Sequence, residues 1–192
     1  MLIFKVDFEK AYDSVDLNYL DAVMVKMNFP TLWRKWIFEC VGPATASMLV
    51  NGSPTVEFVI ERGLRQGDPL SPFLFLLAAD GLNVLMESVV FAGLYRGYTV
   101  GSGDGVAVSN LQFADDTLLL AEKSWANVQS MRTVLIIFDQ ISGLKVNFHK
   151  SMLTGVNFPD SWLTEATMVM NCRVGMLPLC IWGCLLVGML GD

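Results

Sequence analysis

Two aspartates stand side by side in FADDT, Phe113–Thr117, with Ala114 before them and the apolar run Leu118–Leu120 after. An unpaired buried charge is costly or is forced to neutralise, so a pair of like charges inside apolar sequence needs compensation. A hairpin bent at Asp115-Asp116 puts both carboxylates at its tip. A third carboxylate, Asp7, ends the apolar stretch LIFKV and precedes the pair by 108 positions. If the strands that carry them are neighbours in one sheet, Asp7, Asp115 and Asp116 converge. Hard oxygen ligands with room for water and phosphate suit Mg²⁺, with Mn²⁺ as the alternative. Two such ions about 4 Å apart can activate an attacking hydroxyl and stabilise a leaving pyrophosphate.

The elements that must position these groups are legible in outline. Leu2 to Phe8 reads as a central strand ending at Asp7 or Phe8. Asp16 can cap a helix whose apolar face carries Leu17, Leu20, Val23, Met24 and Met27 and which stops before Pro30. A second helix starts at Thr31, with Leu32, Trp36, Ile37 and Cys40 on one side. Residues 46–50 and 55–60 flank Asn51-Gly52, a hairpin signal because Asn-Gly supplies the positive φ angles of a tight turn. Pro72 opens a long apolar helix to about Val90, and Gly93 to Gly105 reads as a glycine-rich loop. Ala107 to Phe113 and Thr117 to Ala121 form the strands around the acidic pair. A helix from Ser124 to Ser142 closes at Gly143. This order predicts an α+β fold, an antiparallel sheet backed by helices. The pattern weakens after Asn157.

At 192 residues, 53% apolar and 17% charged, the chain is of single-domain size and is not disordered. Its net charge of −6 argues against a freestanding nucleic-acid binder, because surfaces that track phosphates are rich in Lys and Arg. Cys40, Cys172, Cys180 and Cys184 show no CxxC spacing, and with His149 they fit no zinc pattern. Their arrangement suits a reducing compartment, nuclear or cytoplasmic. Val174 to Leu190 carries no charge, but Pro178 and its glycines favour strand and turn over a membrane span, so no stable membrane association is expected.

Four strings in order carry a family resemblance: VDFEKAYDSV (Val6–Val15), GLRQGDPLSPFLF (Gly63–Phe75), FADDTLLL (Phe113–Leu120) and SGLKVNFHKS (Ser142–Ser151). They resemble the successive palm motifs of reverse transcriptases, and most of all those of LINE-type non-LTR retrotransposons, plant ones among them. The resemblance implies a polymerase palm over residues 1–158 and a divergent, partial primer-grip region over 159–192, where RVGMLPLCIWG (Arg173–Gly183) is the looser match. It implies an RNA-directed DNA polymerase that joins dNTPs to a DNA primer 3′-hydroxyl on an RNA template. Asp7, Asp115 and Asp116 correspond to the catalytic metal-binding carboxylates, and the Phe8 carbonyl to a further metal ligand. Tyr12 corresponds to the aromatic gate against a ribose 2′-hydroxyl, which discriminates by exclusion. Gln66 and Gly67 correspond to residues lining the nascent base pair, glycine letting backbone approach a ligand. Arg65 is a phosphate contact with Arg62 as its competitor. Lys150 corresponds to the proton donor for departing pyrophosphate, with Lys145 as the alternative. Asp13 and Asp16 read as turn and cap residues.

The sequence departs from the family in three places. Only six residues precede Asp7, where a fingers segment is expected, and little follows the primer grip, where a thumb is expected. The usual Tyr-Leu-Gly of the grip stands as Ile181-Trp182-Gly183. Rival expectations follow: a folded relic that keeps the motifs by descent without turnover, a related polymerase such as an intron maturase, and a membrane-associated protein.

Overall fold

Strand, cap and turn chemistry settle the elements locally. The computed structural model describes residues 1–42, 44–60, 62–101, 105–176, 180–181 and 184–185. Strand β1 (Leu2–Val6) leads through a short turn, α1 (Ala11–Ser14), into α2 (Leu17–Lys26) and α3 (Thr31–Val41). The Asp16 carboxylate caps α2 by accepting from the N–H groups of Asn18 (2.9 Å) and Tyr19 (3.0 Å). Two nested strand pairs follow: β2 (Ala44–Ala46) with β5 (Phe58–Ile60), and β3 (Leu49–Val50) with β4 (Ser53–Pro54). Asn51 and Gly52 turn the inner pair at φ 50° and 81°, as the dipeptide predicts.

Helix α4 (Ser71–Phe91) has its proline in the first turn. The expected glycine loop is in part a hairpin instead, β6 (Tyr98–Val100) with β7 (Val106–Val108). Tyr95 begins it fully buried and donates its hydroxyl to the Leu120 carbonyl at 2.8 Å, which anchors the segment against the sheet. The single strand expected over 107–113 is two: β7 pairs with β6, whereas β8 (Asn110–Phe113) pairs with β9 (Asp116–Ala121). Helix α5 (Trp125–Ser142) ends at Gly143 in the left-handed region, φ 76°. Sequence periodicity gave no notice of β10 (Met152–Gly155) or α6 (Asp160–Met170), which are followed by the short strands β11 (Arg173–Val174), β12 (Cys180–Ile181) and β13 (Cys184–Leu185). In Arg173–Gly183, the stretch expected to be a primer grip, Pro178, Trp182 and Gly183 lie outside the described residues, as does most of Val174–Leu190.

The five-stranded sheet has the order β11-β10-β1-β9-β8, with β1 central as expected. It is antiparallel except at the β11 edge, which pairs parallel with β10. Side chains alternate across a strand, so β1 presents Leu2, Phe4 and Val6 to one face and Ile3 and Lys5 to the other. The first face joins Leu119, Ala121 and Leu153 under α2, α4, α5 and α6 in one core, centred on Phe75, Leu82, Met131, Leu135 and Phe138. The second face gathers Ile3, Leu118 and Leu120 beneath Tyr98 and Val108 of the β6/β7 hairpin. Thus helices back one face, as the α+β reading requires.

Helix α3 buries a narrower face than its sequence suggests. Ile37 and Val41 are buried, but Leu32, Trp36 and Cys40 are exposed, because α2 is its main packing partner. Among the described residues α4 is the one helix long and apolar enough to cross a membrane, and its Leu74, Phe75, Ala78, Leu82 and Met86 lie in the core.

Candidate active site on the sheet edge

Strand register decides where the carboxylates meet. Lys5 pairs with Leu118 and Val6 with Thr117 across β1 and β9, so the next step of the same register sets Asp7 opposite Asp116. Phe113 pairs with Asp116, which leaves Ala114-Asp115 as the two-residue turn of the β8/β9 hairpin. Alternation assigns Lys5, Asp7 and Asp116 to the face of Ile3, Leu118 and Leu120, away from the helices. The expected hairpin therefore exists, and Asp115 is its exposed tip.

Backbone strain marks the same edge. Ala114 has φ 52° and Lys10, three residues after Asp7, has φ 48°. The left-handed region costs an L-residue with a Cβ roughly 1–2 kcal/mol, and among the described residues the other four non-glycine residues in it are asparagines, which tolerate it. Strain of this kind persists where surrounding structure over-determines it, as at functional sites.

Asp7 is held from behind. Its N–H donates to Ser151 Oγ at 3.0 Å, and its carbonyl accepts from the Asn147 N–H at 2.7 Å. Ser151, buried, donates its hydroxyl to the Asn147 carbonyl at 2.8 Å. Glu9 N–H donates to the Lys145 carbonyl at 2.8 Å, so Phe8 bridges Val146 with its neighbours' polar groups turned toward that segment. Successive peptide groups of a strand point to opposite sides, so the Phe8 carbonyl turns toward the acidic hairpin. Neither Ser151 nor Asn147 was singled out from sequence, although both lie in SGLKVNFHKS, because their contacts with Asp7 span more than 100 positions.

The donor set of carboxylates and a backbone carbonyl suits a hard divalent cation. The carboxylates share an edge without forming a closed cage: among the described residues no three His, Cys, Asp or Glu side chains lie close enough together to hold a metal ion. The expected convergence of Asp7, Asp115 and Asp116 is thus met in strand register but not as a cluster of side chains. Lys5 offsets part of that charge, its Nζ 3.3 Å from Asp116 Oδ1. Sequence reading passed over Lys5, although a lone charge two residues before Asp7 must share its face.

The second string folds against the first. The Leu64 N–H donates to the Tyr12 carbonyl at 2.7 Å and the Gly63 N–H to the Val15 carbonyl at 2.9 Å. Gly63 has φ 92°, and a Cβ there would stand 2.6 Å from the Asp13 carbonyl oxygen, so only glycine fits. Tyr12 stacks on buried Phe75, with ring centroids 4.8 Å apart and an interplanar angle of 26°. It also lines an open cavity of about 570 Å³ with Gln66, Gly67, Pro69 and Pro72. Three of the expected substrate residues are therefore together, and packing and site placement coexist at Tyr12. Gly67 has φ 88° with open space where a Cβ would stand, so its conformation, rather than close protein packing, calls for glycine.

The basic candidates separate. Arg62 reaches Asp16 at 4.0 Å, and Lys145 pairs with Glu9 at 3.0 Å. Arg65 is exposed and lines a neighbouring cavity with Asp13 and Gln66, whose Nε2 lies 3.4 Å from Asp13 Oδ1. Lys150 is exposed in the turn after Asn147, its N–H bonded to Asn147 Oδ1 at 3.1 Å. His149 and Cys172 line another cavity but form no metal cluster with other described residues. Burial pushes the Cys172 thiol up to about 12, which marks it as inert.

Residues 1–162 match the reverse transcriptase (RNA-dependent DNA polymerase) family. The chain is 30% identical over 155 residues to the retrovirus-related Pol polyprotein of a type-1 retrotransposable element R2 of Popillia japonica, covering 80% of this chain and 21% of that protein. It is likewise 30% identical to the corresponding polyprotein of a type-2 element of Drosophila melanogaster, over 80% of this chain and 14% of that one. An uncharacterized mitochondrial protein of Arabidopsis thaliana is 42% identical over 69 residues, 36% of this chain and 56% of that protein. The chain thus spans about a fifth or less of the Pol polyproteins it matches. Among solved structures, apo telomerase from Candida tropicalis, truncated from its C-terminal domain, shares the fold with TM-score 0.59 at 13% identity, over 82% of this chain and 31% of that one. The α+β sheet is therefore of the polymerase palm type, and the chain belongs to the reverse transcriptase family, among relatives from non-LTR retrotransposons.

Proposed function

We propose that this chain is the palm portion of an RNA-directed DNA polymerase from a plant LINE-type element, with residues 1–158 as the palm and 159–192 as part of a primer-grip region. The reaction is attack of a DNA primer 3′-oxygen on the α-phosphorus of a dNTP, templated by RNA. The new bond is 3′-oxygen to phosphorus, the bond to the bridging oxygen breaks, the hydroxyl proton is released, and pyrophosphate leaves. Asp7, the Phe8 carbonyl, Asp115 and Asp116 would hold two Mg²⁺ ions, for which Mn²⁺ can substitute. When bound, such ions make the hydroxyl a better nucleophile and neutralise charge on the leaving group. Tyr12 excludes the ribose 2′-hydroxyl, Gln66 and Gly67 border the nascent pair, Arg65 contacts phosphate, and Lys150 gives a proton to pyrophosphate. The chain would work in the nucleus or cytoplasm, without stable membrane association. The Arabidopsis similarity supports a plant source.

The observation that carries this reading is the β1/β9 register, whose next step brings Asp7 opposite Asp116 at the acidic turn. Primer extension by the purified chain on an RNA template tests it. Asp7→Asn and Asp115→Asn should each lower dNTP incorporation by about a thousandfold or more, since positioned metal ions carry most of the electrostatic stabilisation in phosphoryl transfer. Equal incorporation by wild type and both variants would instead support a relic without turnover. The acidic net charge and the open carboxylate edge favour that second reading.

A further inference from the structure

The end of the sheet remote from Asp7 carries a second constellation. β9 and β10 run antiparallel to β1 and both finish opposite Leu2, at Ala121 and Gly155, so the segments that leave them emerge side by side. Lys123 follows β9, Trp125 begins α5, Phe158 follows β10 and Trp162 stands in the first turn of α6. The Phe158 and Trp162 rings are nearly perpendicular, at 81° with centroids 5.4 Å apart, and the Trp125 centroid lies 5.0 Å from that of Trp162. The Lys123 ammonium sits over both walls of this corner, 5.5 Å from the Phe158 centroid and 5.3 Å from that of Trp162.

The walls are fixed and their occupant is not. Phe158 and Trp162 are half-buried and pack on the main core, and a Cβ on Gly155 would stand 2.7 Å from Phe158 Cδ2, so the ring keeps its place because position 155 is glycine. Lys123 is exposed and forms no ion pair with a described carboxylate. A hydrated, exposed ammonium is held weakly by aromatic faces, whereas a desolvated alkylated ammonium gains more from the same faces. Exposed Glu122 and Asp160 lie within two positions of Lys123, Phe158 and Trp162 in the chain, a charge that suits a basic segment and opposes a phosphate.

We infer that Phe158 and Trp162, flanked by Trp125, form a receptor for a trimethylated lysine side chain on a basic peptide segment of a partner protein, with Lys123 as its displaceable occupant in the free chain. The site stands apart from the carboxylate edge and is independent of nucleotidyl transfer.

The test follows the indole N–H resonances of the tryptophans in the purified 192-residue chain during titration with a short basic peptide carrying one trimethyllysine, with its unmethylated twin, and with phosphatidylcholine vesicles. The methylated peptide should bind saturably and at least about fivefold more tightly than its twin, shifting Trp162. Lys123→Ala, a change at an exposed position, should tighten that binding about threefold or more by emptying the corner, and Lys123→Arg, whose planar guanidinium stacks better on the rings, should weaken it. Trp162→Leu should abolish it. Equal binding of the two peptides, no saturable binding, or unchanged or weaker binding by Lys123→Ala overturns the inference, and so does binding to the vesicles without binding to the peptide. Should Trp162→Leu fail to fold, the two Lys123 variants and the methylation preference decide.

Discussion

Replacing Ser151 with alanine should disable the site from behind. Ser151 is 1% exposed, and its hydroxyl accepts from the Asp7 N–H at 3.0 Å and donates to the Asn147 carbonyl at 2.8 Å. Each such bond contributes about 1 kcal/mol net, and a polar group left unpaired in a buried place costs more, so the loss should be about 2 kcal/mol. For a chain of 192 residues that corresponds to a fall in Tm of roughly 4–8 °C. The functional loss should be larger than stability alone explains, because groups that orient a ligating residue typically matter by about 10- to 100-fold in metal affinity or activity. Urea titration gives the first quantity, and Mn²⁺ affinity at a temperature where the variant is fully folded gives the second. Ser151→Thr, which keeps the hydroxyl, should restore much of both. A Ser151→Ala chain with stability within about 0.5 kcal/mol of wild type and unchanged Mn²⁺ affinity would refute the claim that this hydroxyl positions Asp7.

Three further outcomes are expected. Tyr12→Val should raise incorporation of ribonucleotides relative to deoxyribonucleotides by about tenfold or more in paired primer-extension assays, since exclusion by a ring is lost when the ring is removed; an unchanged ratio would assign Tyr12 to packing on Phe75 alone. Asp16→Ala should cost about 1 kcal/mol in urea titration, because two N–H groups of the first turn of α2 lose their acceptor. Alkali should destabilise the fold progressively: burial, with a smaller contribution from Asp80, raises Tyr19 from 10.0 to about 12, and burial raises Cys172 from 9.0 to about 12. Both groups ionise first in the unfolded chain, so their contribution is intact below about pH 9 and is lost as pH rises toward 12. Urea titrations at pH 8 and pH 10.5 measure this, and Tyr19→Phe should flatten the slope.

Local chemistry was legible in the residues themselves. Asp16 caps α2, Asn51-Gly52 turns its hairpin and Gly143 ends α5, because each depends only on neighbours a few positions away. The four ordered strings likewise pointed to the family, since motif residues keep their order whatever the fold does between them. The failures were equally systematic. The stretch after Gly93 reads as loop from its glycines, yet Tyr95 and the β6/β7 hairpin are held by the sheet face they cover. β10 lacks a strong pattern of its own and exists as a strand because β1 offers it a free edge.

At the site, sequence determined the cast and tertiary structure its arrangement. FADD and Asp7 could be named from composition and order alone. Only long-range pairing decided that Lys5 meets Asp116, that Ser151 grips Asp7 across 144 positions, and that Lys145 is taken up by Glu9. The physical reason is that strand register is a collective property: a slip of one residue sends every side chain to the opposite face, and no single position records it.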